Sequence, residues 1–211
     1  NSYAKKDLPD IIKAMQNLGI IYMAFSYDYK KSYEYLLEAK ELAERTKSYE
    51  KLPNIYNCIA NILQLSKEGG NSKDATEVIS MLRKSFNMSL KLKDYQTLAI
   101  AMNNLVTICF EKKGKAYNIS REIKAFRKAC AGKGKGEILQ AFFICSAYEA
   151  YRQKDNAKAI SVLEQAINTV DDNPFAYRGM LSLQGLVTRI YLDAKQYDKA
   201  IASINKAIDI A

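Results

Sequence analysis

The sequence predicts an all-α protein, a stack of about five antiparallel helix pairs, and three observations carry that expectation. Only 3 Pro and 9 Gly punctuate 211 residues, which leaves long stretches free of the breaks a turn-rich β fold needs. A block of similar sequence returns along the chain at a period of about 40 residues. Behind the blocks, apolar and small residues recur at helical spacing.

The block first reads Asn17-Leu18-Gly19-Ile20-Ile21-Tyr22, then Cys58-Ile59-Ala60-Asn61-Ile62-Leu63. It returns as Asn104-Leu105-Val106-Thr107-Ile108-Cys109, Ser146-Ala147-Tyr148-Glu149-Ala150-Tyr151 and Leu186-Val187-Thr188-Arg189-Ile190-Tyr191. The blocks end at residues 22, 63, 109, 151 and 191, so the intervals are 41, 46, 42 and 40. Periods of this size belong to solenoids of helical hairpins. Ser32, Leu36 and Ala39 then fall at i, i+4 and i+7, as do Ala159, Leu163, Ala166 and Ala200, Ile204, Ala207. That spacing sets three side chains on one helix face. Their small size suits two helices that cross closely.

Start signals stand where helices should begin. Asn173-Pro174 offers a cap and a first-turn proline, and Asp28, Ser72, Asp94 and Asp155 are further candidate caps. The pattern predicts helices at about 8–25, 29–47, 51–67, 72–92, 94–112, 116–131, 136–153, 155–171, 173–194 and 196–211. Gly69-Gly70-Asn71 and Gly132-Lys133-Gly134-Lys135-Gly136 are the loosest connections. The repeat continues through both, so 1–211 reads as one repeat domain. The chain starts at Asn1 without a basic-then-apolar leader and reads as a mature form or a piece of a longer chain. No apolar run reaches the roughly 18 residues that a membrane span requires.

Composition limits the chemistry. The chain has no histidine, which removes the commonest general base and metal ligand and every Ser-His-Asp or Cys-His arrangement. Cys58, Cys109, Cys130 and Cys145 form no CxxC pair, so no zinc ribbon or thioredoxin-like centre is indicated. Each sits among apolar neighbours and reads as a buried reduced thiol, which favours the cytosol. A periplasmic sensor region is the alternative if a signal peptide was removed. The glycine-lysine run at 132–136 lacks the GxxxxGK[ST] spacing of a phosphate loop. Asp171-Asp172 suits the start of the following helix better than paired-carboxylate catalysis. The expectation is a binding protein with no cofactor, not an enzyme.

The final unit, Val187-Thr188-x-x-Tyr191…Tyr197-x-x-Ala200-x-x-x-Ile204-x-x-Ala207, resembles the tetratricopeptide repeat almost position by position. Leu18-Gly19-x-x-Tyr22 is similar to the front half of the same motif. The middle units match loosely, and the longer period resembles the variant found in bacterial sensor and transcription-regulator proteins. The resemblance implies a right-handed superhelix whose first helices line a concave groove for a peptide or protein. Carried over by position, that groove holds Gln16, Asn57, Asn61 and Asn103, with Phe110, Glu149, Arg152 and Arg189 further on. Carboxamides suit the role because each both donates to and accepts from a peptide unit. Lys13 and Asn17 imitate part of the family's carboxylate clamp, but the basic residues of its third pair are missing.

A second candidate surface is electrostatic. The chain carries 32 basic and 23 acidic residues, and nine of the cations fall in 112–135 against Glu122 alone. Within this hairpin Ile119, Ile123, Phe126 and Cys130 form an apolar stripe, while Arg121, Lys124, Arg127 and Lys128 supply the basic patch. Such a patch attracts an acidic protein, an anionic lipid surface or, less favoured here, nucleic acid. The last helix carries Ile201, Ile204, Ala207, Ile208 and Ile210 with little polar cover, which predicts that the chain continues or pairs with another copy. The functional expectation is a peptide- or protein-binding scaffold in a bacterial regulatory protein. The alternative is an anionic-surface or nucleic-acid module acting through 112–135.

Overall fold

The computed structural model describes residues 7–66, 75–111, 117–169 and 176–210. All regular structure among them is helical: α1 (Leu8–Ala24), α2 (Tyr29–Arg45), α3 (Leu52–Leu65), α4 (Thr76–Leu92), α5 (Tyr95–Glu111), α6 (Ser120–Ala129), α7 (Gly136–Arg152), α8 (Asn156–Asn168), α9 (Ala176–Asp193) and α10 (Tyr197–Ile210). The candidate caps Ser72 and Asn173-Pro174, the glycines at 69–70, and Asp171-Asp172 lie outside the described residues.

Three of the anticipated caps act as such. The Asp28, Asp94 and Asp155 carboxylates accept the backbone N–H of Lys31, Thr97 and Lys158 at 3.0, 3.1 and 3.0 Å. Each satisfies a first-turn donor that the helix itself leaves open. Four turns share one closing device. Lys47, Lys93, Lys154 and Lys195 adopt left-handed backbone with φ of 60, 59, 65 and 58°. The next N–H in each case reaches back to a carbonyl five residues earlier, as in Ser89 to Asp94 and Ala150 to Asp155. The fourth predicted helix starts later, at Thr76. The sixth starts at Ser120 because the Asn118 side chain accepts the Ser120 N–H at 2.9 Å, a local turn that competes with helix.

The chain forms two compact units, 1–101 and 102–211. In the first, α1 packs on α2 and α3 on α4, while α2 also packs on α3. In the second, α7 packs on α8 and α9 on α10, with α8 against α9. Among the described residues α2 and α8 thus each meet both their own partner and the next first helix.

The first unit shows why the crossing residues are small. Ile12, Leu36, Ala39, Ala43, Ile55 and Ile59 are among its buried core. Ser32 lies beneath them and its hydroxyl donates to the Gly19 carbonyl. A Cβ on Gly19 would come within 2.7 Å of Leu36 Cγ, which is fully buried and has nowhere to retreat. At Gly185, inside α9, an added Cβ would meet nothing within 4 Å. The two glycines should therefore respond oppositely to alanine. Gly185→Ala should stabilise by up to about 1 kcal/mol through helix propensity. Gly19→Ala should destabilise by roughly 1–2 kcal/mol, overpacking outweighing the same propensity gain. Urea unfolding of the two variants checks both signs.

In the second unit the expected α6 stripe is buried as a whole, with Ile119, Ile123, Phe126 and Cys130 all covered. The last helix differs from expectation in one respect. Ala200 and Ser203 are buried there, whereas Ile204 is turned outward. Ser203 is drawn in by polar contacts, since Gln184 Nε2 donates to its hydroxyl at 2.6 Å and Thr188 Oγ1 lies 2.8 Å away.

Candidate functional site

The end of α7 and the approach to α6 enclose a cavity of about 320 Å³, lined by Asn118, Ser120, Ile123, Tyr148, Glu149, Arg152 and Gln153. Its floor is set by the helical register. Ile123 and Tyr148 are buried, and the Tyr148 ring stands edge-on to Phe110 with centroids 5.3 Å apart. Phe110 also packs on Tyr151 at 5.0 Å, so α5 holds two successive faces of α7.

The wall between α6 and α7 is tied by charge. Arg127 Nη2 donates to Glu149 Oε2 at 2.7 Å and to Ser146 Oγ at 3.1 Å. Both partners are partly exposed, so the pair adds less than about 1 kcal/mol to stability. Its larger effect is positional, since it fixes one Glu149 oxygen on the cavity wall. Arg152 stands exposed at the rim beside the Gln153 amide. The Tyr148 phenol is pushed up to about 12, chiefly by burial and with Arg152 opposing the rise. At neutral pH it is therefore a neutral hydroxyl. The cavity combines an apolar floor with two amides, two hydroxyls, a cation and a tethered carboxylate. That mixture offers hydrogen-bond donors and acceptors and one group of each charge.

The thiols of the described residues are poor nucleophiles. Burial pushes the thiols of Cys58 and Cys145 up to about 12 and raises that of Cys130, which keeps them protonated and poorly nucleophilic. No group of three or more His, Cys, Asp or Glu that could hold a metal occurs among the described residues. No helix among them is long and apolar enough to cross a membrane.

The residues assigned to a groove differ in their surroundings. In the first unit, Gln16 and Asn57 are buried and Asn61 is half-buried. Asn57 is covered because α3 has neighbours on two sides, with nine of its fourteen residues buried. Asn57 and Asn61 each already interact within the protein. In the second unit, Phe110 is fully buried and serves the core instead of a groove. Arg189 is engaged with Asp193 at 3.3 Å, and Asp193 also accepts the Tyr151 hydroxyl at 2.6 Å. Asn103 is half-buried, and its Oδ1 is a buried acceptor without a hydrogen-bond partner. Only Glu149 and Arg152 of the assigned residues line the cavity.

The basic patch divides in a similar way. Arg121, Lys124 and Lys128 are exposed on α6, while Arg127 turns toward α7. Lys112, Lys113 and Lys115 lie outside the described residues. No sequence signal singles out Asn118, Ser120, Tyr148 or Gln153 as site residues, although the Asn-x-Ser step ahead of an apolar run marks a helix start there. No known protein-family model matches the chain, and no characterised protein is similar enough in sequence to place it in a family.

Proposed function

We propose that this chain is a peptide-binding scaffold of the tetratricopeptide kind, and that its second unit receives an acidic segment in the α6–α7 cavity. The observation that carries the reading is the cavity itself. It sets Arg152 and two amides over an apolar floor, beside a helix that presents Arg121, Lys124 and Lys128. A volume of about 320 Å³ accommodates one or two side chains, within the roughly 300–1,000 Å³ typical of ligand sites. The α-solenoid reading draws support from the order of packing that the two units share, in which α2 and α8 each also meet the next first helix. The resemblance to the longer tetratricopeptide variant adds the further reading that the module belongs to a bacterial regulatory protein.

Fluorescence anisotropy with acidic, neutral and basic peptides of equal length tests the assignment. The acidic peptide should bind best, and its affinity should fall as salt rises. Arg152→Glu should weaken it by roughly 10- to 100-fold, the range for losing one charge-assisted hydrogen bond. The triple change of Arg121, Lys124 and Lys128 to Glu should weaken it further, with helicity unchanged because all three are exposed. Equal binding of all three peptides would refute the reading. If only the triple change matters and single-stranded DNA competes, α6 acts as an anionic-surface module without the cavity.

A further inference from the structure

The first and last helices expose positions that their counterparts bury. Leu18 and Ile21 of α1 are 40% and 47% exposed. By the recurring block, Leu18 corresponds to Ile59, Ala147 and Val187, and Ile21 to Ile62, Ala150 and Ile190. None of those six is more than 3% exposed. Since α1 has its own partner α2 just as α3 has α4, the difference is that no helix among the described residues packs on the other side of α1.

The opposite end shows the converse. Counting eight residues from the position before each helix (Asp28, Asp155 and Gln196) reaches Leu36, Leu163 and Ile204. Leu36 and Leu163 are 0% exposed, whereas Ile204 is 43% exposed. The helices α2 and α8 each carry a following first helix, α3 and α9, and α10 carries none among the described residues. Tyr197, Ile201, Ile204 and Ile208 are all exposed at intervals of four, three and four, one continuous stripe. Ile11, Leu18 and Ile21 form the matching stripe on α1, at intervals of seven and three.

The bare face of α10 is thus the second-helix side of the junction seen at α2–α3 and α8–α9, and the bare face of α1 is the first-helix side. We infer that the chain associates head to tail with a second copy, α1 of one molecule covering α10 of the next. The contact continues the packing between successive pairs inside each unit and does not depend on what the cavity binds. It is heterologous, because different surfaces meet, so unblocked copies add without a built-in stop unless the rotation closes a ring.

Sedimentation of the 211-residue chain across concentrations up to about 1 mM tests this. Wild type should form species larger than dimers as concentration rises. Ile21→Glu and Ile204→Glu each place a charge in one face only and should each weaken self-association by roughly 100-fold. An equimolar mixture should recover one-to-one dimers and nothing larger, since each variant retains the face that the other lost. Both side chains are exposed, and unchanged circular dichroism verifies that the variants remain folded. A wild-type chain that is monomeric throughout overturns the inference. So does an Ile21→Glu variant that still self-associates as wild type does, because α10 would then be pairing with α10, or a mixture that yields no dimer.

Discussion

Phe126→Ala is expected to cost about 3–5 kcal/mol of unfolding free energy, the range for removing a buried aromatic ring and leaving its cavity. Phe126 sits mid-way along α6, the shortest of the described helices at ten residues, and is fully buried. Its ring lies 5.1 Å from that of Phe142 on α7. With Ile119, Ile123 and Cys130 it forms the whole apolar attachment of a helix whose other faces are charged. A helix this short has little stability of its own and depends on that packing. The loss should also disturb the cavity, which Ile123 and Ser120 line from α6 and Asn118 from just before it. Urea unfolding monitored with peptide binding should show both falling together. The control is Phe25→Ala, where a ring 79% exposed should change stability by less than about 0.5 kcal/mol. Equal costs at the two positions would contradict the burial argument.

The second large effect is expected in alkali. Burial raises the Cys58 and Cys145 thiols from an ordinary 9.0 to about 12, and the Tyr56, Tyr148 and Tyr151 phenols from 10.0 to about 12. For Tyr56 burial leads, helped by its bond to Glu44 at 3.0 Å; for Tyr151 burial leads, helped by Asp193. The folded protein therefore holds protons that the unfolded chain releases first. Stability from these groups is whole below the unfolded values and is lost as pH rises through the folded ones. Each titrating thiol should remove about 1.4 kcal/mol per pH unit above its ordinary value. The denaturation midpoint should be level from neutrality to about pH 8.5 and fall steeply beyond, the thiols first and the phenols after. The double variant Cys58→Ala, Cys145→Ala should start less stable and lose less between about pH 9 and 10. A wild-type profile flat through about pH 10 would show that neither thiol is withheld from water.

Much of the local structure could be read from the residues alone. Asp28, Asp94 and Asp155 mark helix starts because a short carboxylate reaches its own third N–H, whatever surrounds it. The stripe Ile119, Ile123, Phe126, Cys130 is inward because helical spacing and hydrophobicity agree there. Gly19 is small because Leu36 crosses it, in keeping with the close crossing that the small residues of the second helices imply.

The site was less legible. Sequence position could show that Asn57 and Phe110 lie on first helices, but not which side of those helices neighbours would cover. That depends on partners far along the chain: α2 and α4 enclose α3, and Tyr148 and Tyr151 close over Phe110. Charge was equally ambiguous, since Arg127 reads like Arg121 in sequence and is separated from it only by meeting Glu149, 22 residues away. Helices, caps and the amphipathic faces follow from local chemistry acting over a few residues, so the sequence by itself determined them. Which polar groups stay in water and which are used up in packing is decided by long-range contacts, and only the tertiary structure assigns it.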